Sequence, residues 1–400
     1  MENEATDRYR TRYAALTQRS LDHLLAQAQA LGDLSPDAET HNRALHTLRQ
    51  SLAQDDIWRA VRPVLQKLTP RIEQAGHWAE WSDLLEAALA RSRRAADAGA
   101  EAFLLYHLGI LYRLQNRYPA AEQALTASAQ RYSELGDAAG RVLVQGRHAY
   151  LAWTRRDFGR ARHLAAESLA QSDEQPESGD VYAYAHLVLG ALAFETGDWS
   201  EAHVRFQAAH LLWQQHGNRR MAGTALYNRA LALQQMGRYD EAVVIYRQAI
   251  DLLHAIGDNS GWAIAHMNLG ILYRRQQAHD TALECYRRAE EVFRRMENRL
   301  LLARVHNNTG EVYRDLGRWE EAERAYRFSI EGWQLLGNVA EQINTLDNRI
   351  ACLLAQNRFS EARHGLDEAF RLLNEIVDDP AHKRLSATLA DKQFKNEFGF

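Results

Sequence analysis

Apolar residues recur three and four positions apart along most of the chain, the spacing that gathers them on one face of a helix. In the segment 258–298, a first apolar pattern covers 263–273 and a second covers 282–293, with a short break at 276–278. This arrangement predicts two amphipathic helices of roughly sixteen to eighteen residues joined by a short turn. Such a pair is a helical hairpin, in which a first helix packs against a second one.

The hairpin pattern returns at an almost fixed interval. The second helix of each unit begins near a ring-bearing side chain, and the seven successive spacings between these side chains are 40, 40, 41, 40, 40, 40 and 40. The eight positions are Trp78, Tyr118, Phe158, Trp199, Tyr239, His279, Trp319 and Phe359. A constant period of this length predicts one supersecondary unit stacked on copies of itself.

Small residues hold fixed positions within the unit. The first helices carry mid-helix glycines at Gly109, Gly190, Gly270 and Gly310. Because a mid-helix glycine costs about 1 kcal/mol relative to alanine, its recurrence predicts that a side chain there would collide with the second helix. The second helices carry alanine at Ala121, Ala161, Ala202, Ala242, Ala282, Ala322 and Ala362, and larger residues at Leu125, Phe206, Tyr246, Tyr286, Tyr326 and Leu366. We expect Gly136, Gly217, Gly257 and Gly337 to end second helices in a left-handed conformation.

These residues carry a family resemblance. The residues that carry it in one unit are Leu269, Gly270, Tyr273, Ala282, Tyr286 and Ala289. They resemble the tetratricopeptide repeat pattern, although the period is near 40 residues rather than about 34. The longer form is similar to repeats of kinesin light chains, of polarity adaptors that bind G-protein α subunits, and of the sensor regions of bacterial signalling ATPases. Over residues 76–376 the resemblance implies an all-α, right-handed α-solenoid of about seven to eight hairpins with helical caps.

The period divides the chain into four predicted parts. These are an N-terminal helical cap over 1–55, a degenerate first repeat over 56–99, seven repeats over 100–376, and a C-terminal capping helix and tail over 377–400. In the cap, one long helix is expected over 4–31, with an apolar face formed by Tyr13, Leu16, Leu21, Leu24 and Leu25. A second is expected to begin at Ser35 and Pro36.

Two places depart from the regular pattern. Pro63 and Pro70 are expected to disturb the first helix of the degenerate repeat, because proline removes a helical hydrogen bond. The turn-rich segment 175–180 replaces the usual short turn and is the best candidate for an altered joint in the stack.

One equivalent position in four consecutive first helices holds asparagine. The four residues are Asn228, Asn268, Asn308 and Asn348, each 40 residues from the next. Stacked hairpins place their first helices on the inner, concave wall. A carboxamide both donates and accepts, so a row of them can pair with the backbone of an extended peptide. The family resemblance implies the same role, whereas the alternative is that each asparagine bonds a neighbouring helix within the stack.

Other side chains are expected to flank this row on the same wall. They are Tyr227, Gln234, Met267, Ile271, Arg274, Arg304, Asn307, Glu311, Arg314 and Asn344. Arg274 and Arg314 are again 40 residues apart and are candidates to meet carboxylates of a partner, or else belong to a solvated face. Towards the N-terminus the wall becomes more basic and aromatic, with Phe103, Tyr106, Arg113, Arg147 and Tyr184.

Motifs for catalysis or metal binding are missing from the sequence. Its 17 histidines include no His-Glu-x-x-His arrangement, and no phosphate loop, dinucleotide fingerprint or G-x-S-x-G elbow occurs. His186, His266 and His306 share a position expected to pack between helices. We therefore expect no enzyme, no metal site and no cofactor. A net charge of -4 also argues against a nucleic-acid partner.

Composition favours a cytoplasmic protein. Two cysteines, Cys285 and Cys352, exclude a disulfide framework and suit a reducing compartment. No apolar run approaches the roughly eighteen residues of a membrane span, so no membrane association is expected. The first residues are acidic where a signal peptide would be basic and then apolar.

The main functional hypothesis is a non-catalytic scaffold or adaptor that binds an extended segment of another protein in the concave groove. One alternative is a peptide-pheromone receptor of the quorum-sensing type, which the chain resembles in length, in its N-terminal helices and in its asparagines. Another is a regulatory or sensor subunit of an effector such as a protease or signalling ATPase. Any homo-oligomer is expected to form through the end caps.

Overall fold

The structure is a computed structural model that describes residues 2–31, 38–54, 57–72, 78–170, 179–376 and 381–398. Within these ranges the regular structure consists of nineteen α-helices and the short 3-10 helix Asn374–Ile376, without a β-strand. The predicted all-α fold is confirmed. The chain forms two compact units, Met1–Gly261 and Trp262–Phe400. This division falls inside the segment predicted as one repeat array, and the four predicted domain boundaries stay a prediction.

The helices follow one another in chain order. They are α1 Glu2–Ala30, α2 Ala38–Leu52, α3 Trp58–Ile72, α4 Trp78–Arg94, α5 Ala98–Leu114, α6 Tyr118–Glu134, α7 Ala138–Thr154, α8 Phe158–Ala170, α9 Gly179–Glu195, α10 Trp199–Gln215, α11 Arg219–Gln235, α12 Tyr239–Ala255, α13 Asn259–Arg275, α14 His279–Arg295, α15 Arg299–Asp315, α16 Trp319–Leu335, α17 Val339–Ala355, α18 Phe359–Leu373 and α19 His382–Phe398.

A uniform helix length explains the period. Helices α9 to α17 each contain 17 residues and are joined by links of three residues, so two helices and two links account for the interval of 40. Odd-numbered helices from α5 to α17 are first helices, and the even-numbered partners are second helices. All eight ring-bearing residues of the sequence pattern are the first residue of a second helix. Links this short require neighbouring helices to run antiparallel, so the predicted stack of hairpins is confirmed in each unit.

The links turn through a left-handed residue at their centre. In the link 256–258, Gly257 has a φ of 72°. Its N–H donates to the carbonyl of His254 at 3.0 Å, and the N–H of Asp258 donates to the carbonyl of Leu253 at 3.0 Å. These two hydrogen bonds satisfy backbone carbonyls that have no partner within the helix itself. Asp258 then caps the next helix by accepting from the N–H of Gly261 at 2.9 Å.

The mid-helix glycines are sites of close approach, as predicted. A Cβ atom on Gly109 would lie 2.6 Å from Cγ of Leu125, and one on Gly190 would lie 2.8 Å from Cε1 of Phe206. The alanines of the second helices are completely buried at the same contacts. Where the pattern has Ala149 in place of glycine, the residue on the second helix is Ala165, and both are buried. The small side chain of Ala165 thus leaves room for the Cβ of Ala149 at this contact.

The N-terminal helices confirm some expectations and correct others. Helix α1 matches the predicted long helix, but its apolar face is buried only in part, since Leu21 and Leu24 are buried whereas Tyr13 and Leu16 are about half exposed. The expected start at Ser35 and Pro36 lies outside the described residues.

Helix α3 is continuous, and the expectation that its prolines would disturb it is wrong. The helix passes through both Pro63 and Pro70. Four of its apolar side chains, Val61, Val64, Leu65 and Leu68, are fully buried. Their burial outweighs the hydrogen bonds that the two prolines remove.

The remaining departures concern the segment 175–180 and the C-terminus. Residues 175–178 lie outside the described residues, while Gly179 and Asp180 already belong to α9. The predicted final helix is present as α19, and residues 399–400 lie outside the described part.

Candidate peptide-binding surface

Three asparagines of the second unit occupy the same place in consecutive first helices. Asn268, Asn308 and Asn348 are each the tenth residue of α13, α15 and α17, and each is half-buried. Two positions later, Gly270 and Gly310 face their second helices. Residues two apart on a helix point about 200° apart, so the asparagines lie on the side away from the hairpin contact. We call this face of α13, α15 and α17 the first-helix wall.

The carboxamides of Asn268 and Asn308 are available for hydrogen bonding. Within the residues that the structure describes, neither has a hydrogen-bond partner. Asn348 is different, since it accepts from Nη1 of Arg314 at 2.9 Å and donates through Nδ2 to Oδ1 of Asn307 at 3.2 Å. The alternative considered from the sequence, bonding within the stack, therefore describes Asn348.

The two flanking arginines already have acidic or polar partners in the chain. Arg274 of α13 donates to the carboxylates of Glu311 and Asp315 on α15, with Nε 2.6 Å from Oδ2 of Asp315. The Nη2 atom of Arg314 lies 3.7 Å from Oδ1 of Asp315. Asn307 donates through Nδ2 to Oε1 of Glu311 at 3.4 Å. These contacts fix neighbouring first helices to one another and leave the arginines little capacity for a partner's carboxylates.

The other predicted residues of the second unit divide between surface and core. Arg304 is exposed, and its guanidinium has no partner in the described ranges. Asn344 donates to Oε2 of Glu341 at 3.4 Å and accepts from Nη1 of Arg384 on α19 at 3.3 Å. Met267 is only 5 % exposed and belongs to the apolar cluster that includes Tyr286. Its expected place on the exposed wall is therefore wrong, because its side chain packs between helices.

In the first unit, Asn228 repeats the position of the asparagine row. It is the tenth residue of α11, is half-buried, and has no hydrogen-bond partner among the described residues. Its neighbour Tyr227 is also half-buried. Gln234 is buried between the helices of its hairpin and accepts from the hydroxyl of Tyr246 at 3.4 Å.

The first unit also contains a cation–aromatic cluster. The guanidinium of Arg147 lies 4.3 Å from the ring centroid of Tyr184, and its Nε donates to the hydroxyl of Tyr106 at 2.8 Å. Arg113 lies 4.8 Å from the ring centroid of Tyr150. The sequence indicated basic and aromatic residues here but not their pairing, since the arginines and rings come from different repeats. The cluster fixes α5, α7 and α9 to one another.

A cleft of about 300 Å³ lies between second helix α14 and first helix α15. Its lining residues are Asp280, Leu283, Glu284, Arg287, Glu290, Thr309 and Tyr313. Glu284 is paired with both Arg287 and Arg288, and their hydrogen bonds lower the pKa of Glu284 to about 2. Across the described ranges, no three His, Cys, Asp or Glu side chains are grouped so as to hold a metal ion. None of the described helices combines the length and the apolar character that a membrane span needs.

Comparisons with known proteins agree with the fold. The tetratricopeptide repeat family model matches residues 181–255, 221–295, 262–334 and 301–375. A search of curated proteins finds no significant match.

Similar solved structures share the fold at low sequence identity. A STAND signal-transduction ATPase with a tetratricopeptide repeat sensor from Pyrococcus horikoshii is 14% identical, with a TM-score of 0.57 over 88% of this chain and 55% of that one. A Rap protein complexed with Competence and Sporulation Factor is 12% identical, with a TM-score of 0.54 over 96% of this chain and 99% of that one. The apo quorum sensor NprR from B. thuringiensis is 15% identical, with a TM-score of 0.52 over 72% of this chain and 82% of that one. The helix pairing, the period and the family match together show that residues 181–375 are tetratricopeptide repeats.

Proposed function

We propose that this chain is a non-catalytic adaptor or sensor that binds an extended segment of a partner protein along the first-helix wall. The observation that carries the proposal is the pair Asn268 and Asn308. These carboxamides are half-buried, stand one repeat apart, and have no hydrogen-bond partner within the described residues. A half-buried group that can both donate and accept is ready to bond a backbone that displaces its water.

Helix spacing sets the register of such a segment. Helices α13 and α15 contact each other through Arg274 and Glu311, and packed helices lie about 8–10 Å apart. An extended chain rises about 3.3 Å per residue, so the two asparagines would bond backbone groups about three residues apart. Backbone bonding of this kind accepts many side chains, and Arg304, which is exposed, would favour an acidic one nearby.

The ion pairs behind this wall support a positioning role for the arginines. Arg274 and Arg314 hold the first helices in place through Glu311, Asp315 and Asn348. A wall fixed in this way binds a peptide without having to order its own helices first, which lowers the entropic cost of binding. Asn228 would supply an equivalent contact in the first unit, and a cytoplasmic location fits this role.

A receptor for a short signalling peptide is the second candidate. It is favoured by the fold shared with a Rap protein complexed with Competence and Sporulation Factor and with a quorum sensor. The two candidates differ in the ligand: a receptor binds a short free peptide, whereas an adaptor binds a segment within a folded partner. A single short peptide that raises the melting temperature by several degrees would favour the receptor.

A displayed library of random linear peptides tests the proposal. Peptides selected on the wild-type chain are expected to bind an Asn268→Ala, Asn308→Ala variant about tenfold more weakly or worse. A Gln248→Ala, Gln334→Ala variant is the matched control, because it removes two exposed carboxamides from second helices. Equal affinities of the selected peptides for the wild type and the asparagine variant would contradict the proposed site.

A further inference from the structure

An exposed apolar stripe lies on second helix α16, away from the first-helix wall. Phe328 and Leu335 are 53 % and 70 % exposed. They are seven residues apart, which places them on one side of the helix about 10 Å from each other. Leu336 follows directly, and Leu300 is exposed in the first turn of α15. We call Leu300, Phe328, Leu335 and Leu336 the α16 patch.

The packing of α15 against α16 brings these residues to one corner. A Cβ atom on Gly332 would lie 2.9 Å from Cβ of Ala303 and 3.9 Å from the carbonyl oxygen of Arg299, so the first turn of α15 passes the last turn of α16. One turn earlier on α16, the ring centroids of Phe328 and His306 lie 5.5 Å apart. The phenyl ring is therefore held in place while half of it faces outwards.

Equivalent positions of the other repeats show that the stripe is not required by the fold. The position of Phe328 holds Arg288 in α14 and Gln248 in α12. The last residue of the helix, Leu335 in α16, is Arg295 in α14 and Gln215 in α10. Hairpin packing thus tolerates charged or amide side chains at both positions. Two large apolar residues here cost solubility without contributing to the core, which is typical of an interaction surface.

The charges around the patch are mainly positive. Arg299, Arg324 and Arg327 are exposed, and none forms an ion pair within the described residues, although the charge of Arg324 contributes to lowering the pKa of Glu321. Glu331 is the only acid between Phe328 and Leu335 in the sequence. On neighbouring α14, by contrast, Arg287 and Arg288 are both paired with Glu284. The α16 patch therefore presents apolar side chains next to three exposed arginines that form no ion pair within the described residues.

We propose that the α16 patch docks an amphipathic helix of another protein whose apolar stripe is flanked by acidic residues. Its apolar side chains would cover Phe328 and Leu335, whose spacing of seven residues matches the heptad spacing of a helix laid alongside. Its carboxylates would meet Arg299, Arg324 and Arg327 through charge-assisted hydrogen bonds. This second surface is independent of the first-helix wall and gives the chain two sites for two partners.

A displayed library of amphipathic helices is the probe, with a fixed leucine stripe and flanks randomised among glutamate, lysine and glutamine. Selection on the wild-type chain is expected to enrich glutamate in the flanks. A Phe328→Gln, Leu335→Gln variant is expected to bind the selected helices at least about tenfold more weakly. It should fold normally, because Gln248 and Gln215 occupy the equivalent positions in α12 and α10. Circular dichroism checks this.

Two further variants make the result specific. Val204→Gln, Leu211→Gln removes two apolar side chains of α10 that are 55 % and 53 % exposed, and is expected to leave binding unchanged. Arg324→Gln, Arg327→Gln is expected to weaken binding and to reduce its dependence on salt.

Several results would overturn the proposal. The first is a selection that does not enrich glutamate in the flanks, and the second is one that enriches lysine there. The third is a set of selected helices that bind the Phe328→Gln, Leu335→Gln variant as tightly as the wild type. A wild-type dimer in sedimentation that this variant dissociates would assign the patch to a second copy of the chain. Binding lost in the Asn268→Ala, Asn308→Ala variant would place the helix on the first-helix wall instead. If that variant loses only the peptides selected for the wall, the two sites are separate.

Discussion

A Cβ atom on Gly270 of α13 would lie 2.5 Å from Cε1 of Tyr286 on α14. The same relationship recurs one repeat later, where a Cβ atom on Gly310 would lie 2.6 Å from Cε1 of Tyr326. Both tyrosine rings are buried. The glycine therefore sets how closely the two helices of a hairpin approach, and with it the position of the asparagine two residues before.

A Gly270→Ala variant is expected to be less stable. Alanine improves helix propensity by about 1 kcal/mol, but overpacking against a fixed ring costs about 1–3 kcal/mol. We expect the free energy of unfolding to fall by up to about 2 kcal/mol in urea denaturation. The control is Gly159→Ala in α8, where an added Cβ meets nothing within 4 Å and no loss is expected. A Gly270→Ala protein as stable as the wild type would show that the ring moves freely.

Replacing Arg274 with glutamine is expected to destabilise the second unit. The Arg274 side chain is 23 % exposed and neutralises Glu311 and Asp315, which are also partly buried. Without it these carboxylates repel each other, and we expect a loss of about 1–3 kcal/mol in the free energy of unfolding. The matched change is Arg287→Gln, which breaks an exposed ion pair with Glu284 and should have no measurable effect. Equal effects of the two changes would contradict a special role for the Arg274 pair.

Stability is expected to decline as the solution becomes acidic. Burial, and then the charge of Arg205, lowers the pKa of His186 to about 4, whereas an unfolded histidine has a pKa near 6.5. Between these values the unfolded state binds more protons at this position, so the stability that His186 contributes is complete above pH 6.5 and is lost as the pH falls to about 4. Burial also lowers the pKa of His148, His203, His210 and His306, which act in the same direction.

Urea denaturation at several pH values measures this decline. A His186→Gln variant keeps an acceptor near Arg205 but cannot be protonated, so its stability should fall less between pH 6.5 and pH 4. An identical pH dependence in the two proteins would show that His186 does not contribute.

Local spacing made most of the fold predictable from the sequence. The period, the left-handed glycines such as Gly257 and the close approach at Gly270 depend on residues within one hairpin, and all three were confirmed. The continuity of α3 was not predictable, because the burial that stabilises it past Pro63 involves tertiary packing. Contacts between side chains of different repeats could not be predicted from the sequence either. Register placed Asn348 in the same row as Asn268 and Asn308, but only the structure shows that Arg314 bonds Asn348.

Met267 illustrates the same limit within the candidate site. Its position next to Asn268 suggested the exposed wall, yet adjacent residues on a helix point about 100° apart. That rotation directs Met267 into the core and leaves Asn268 half-buried at the surface. The sequence therefore located the helices that form the site, and the structure distinguished the side chains that remain available.

The central claim is that Asn268 and Asn308 bind peptide backbone. The measurement that tests it most directly is the affinity of a wall-binding peptide N-methylated at one backbone position after another, for the wild type and for Asn268→Ala, Asn308→Ala. We predict that methylation at two positions about three residues apart weakens binding to the wild type about tenfold and hardly affects the variant. If every methylated peptide loses the same affinity for both proteins, the asparagines do not bond the backbone and the account of this surface is wrong.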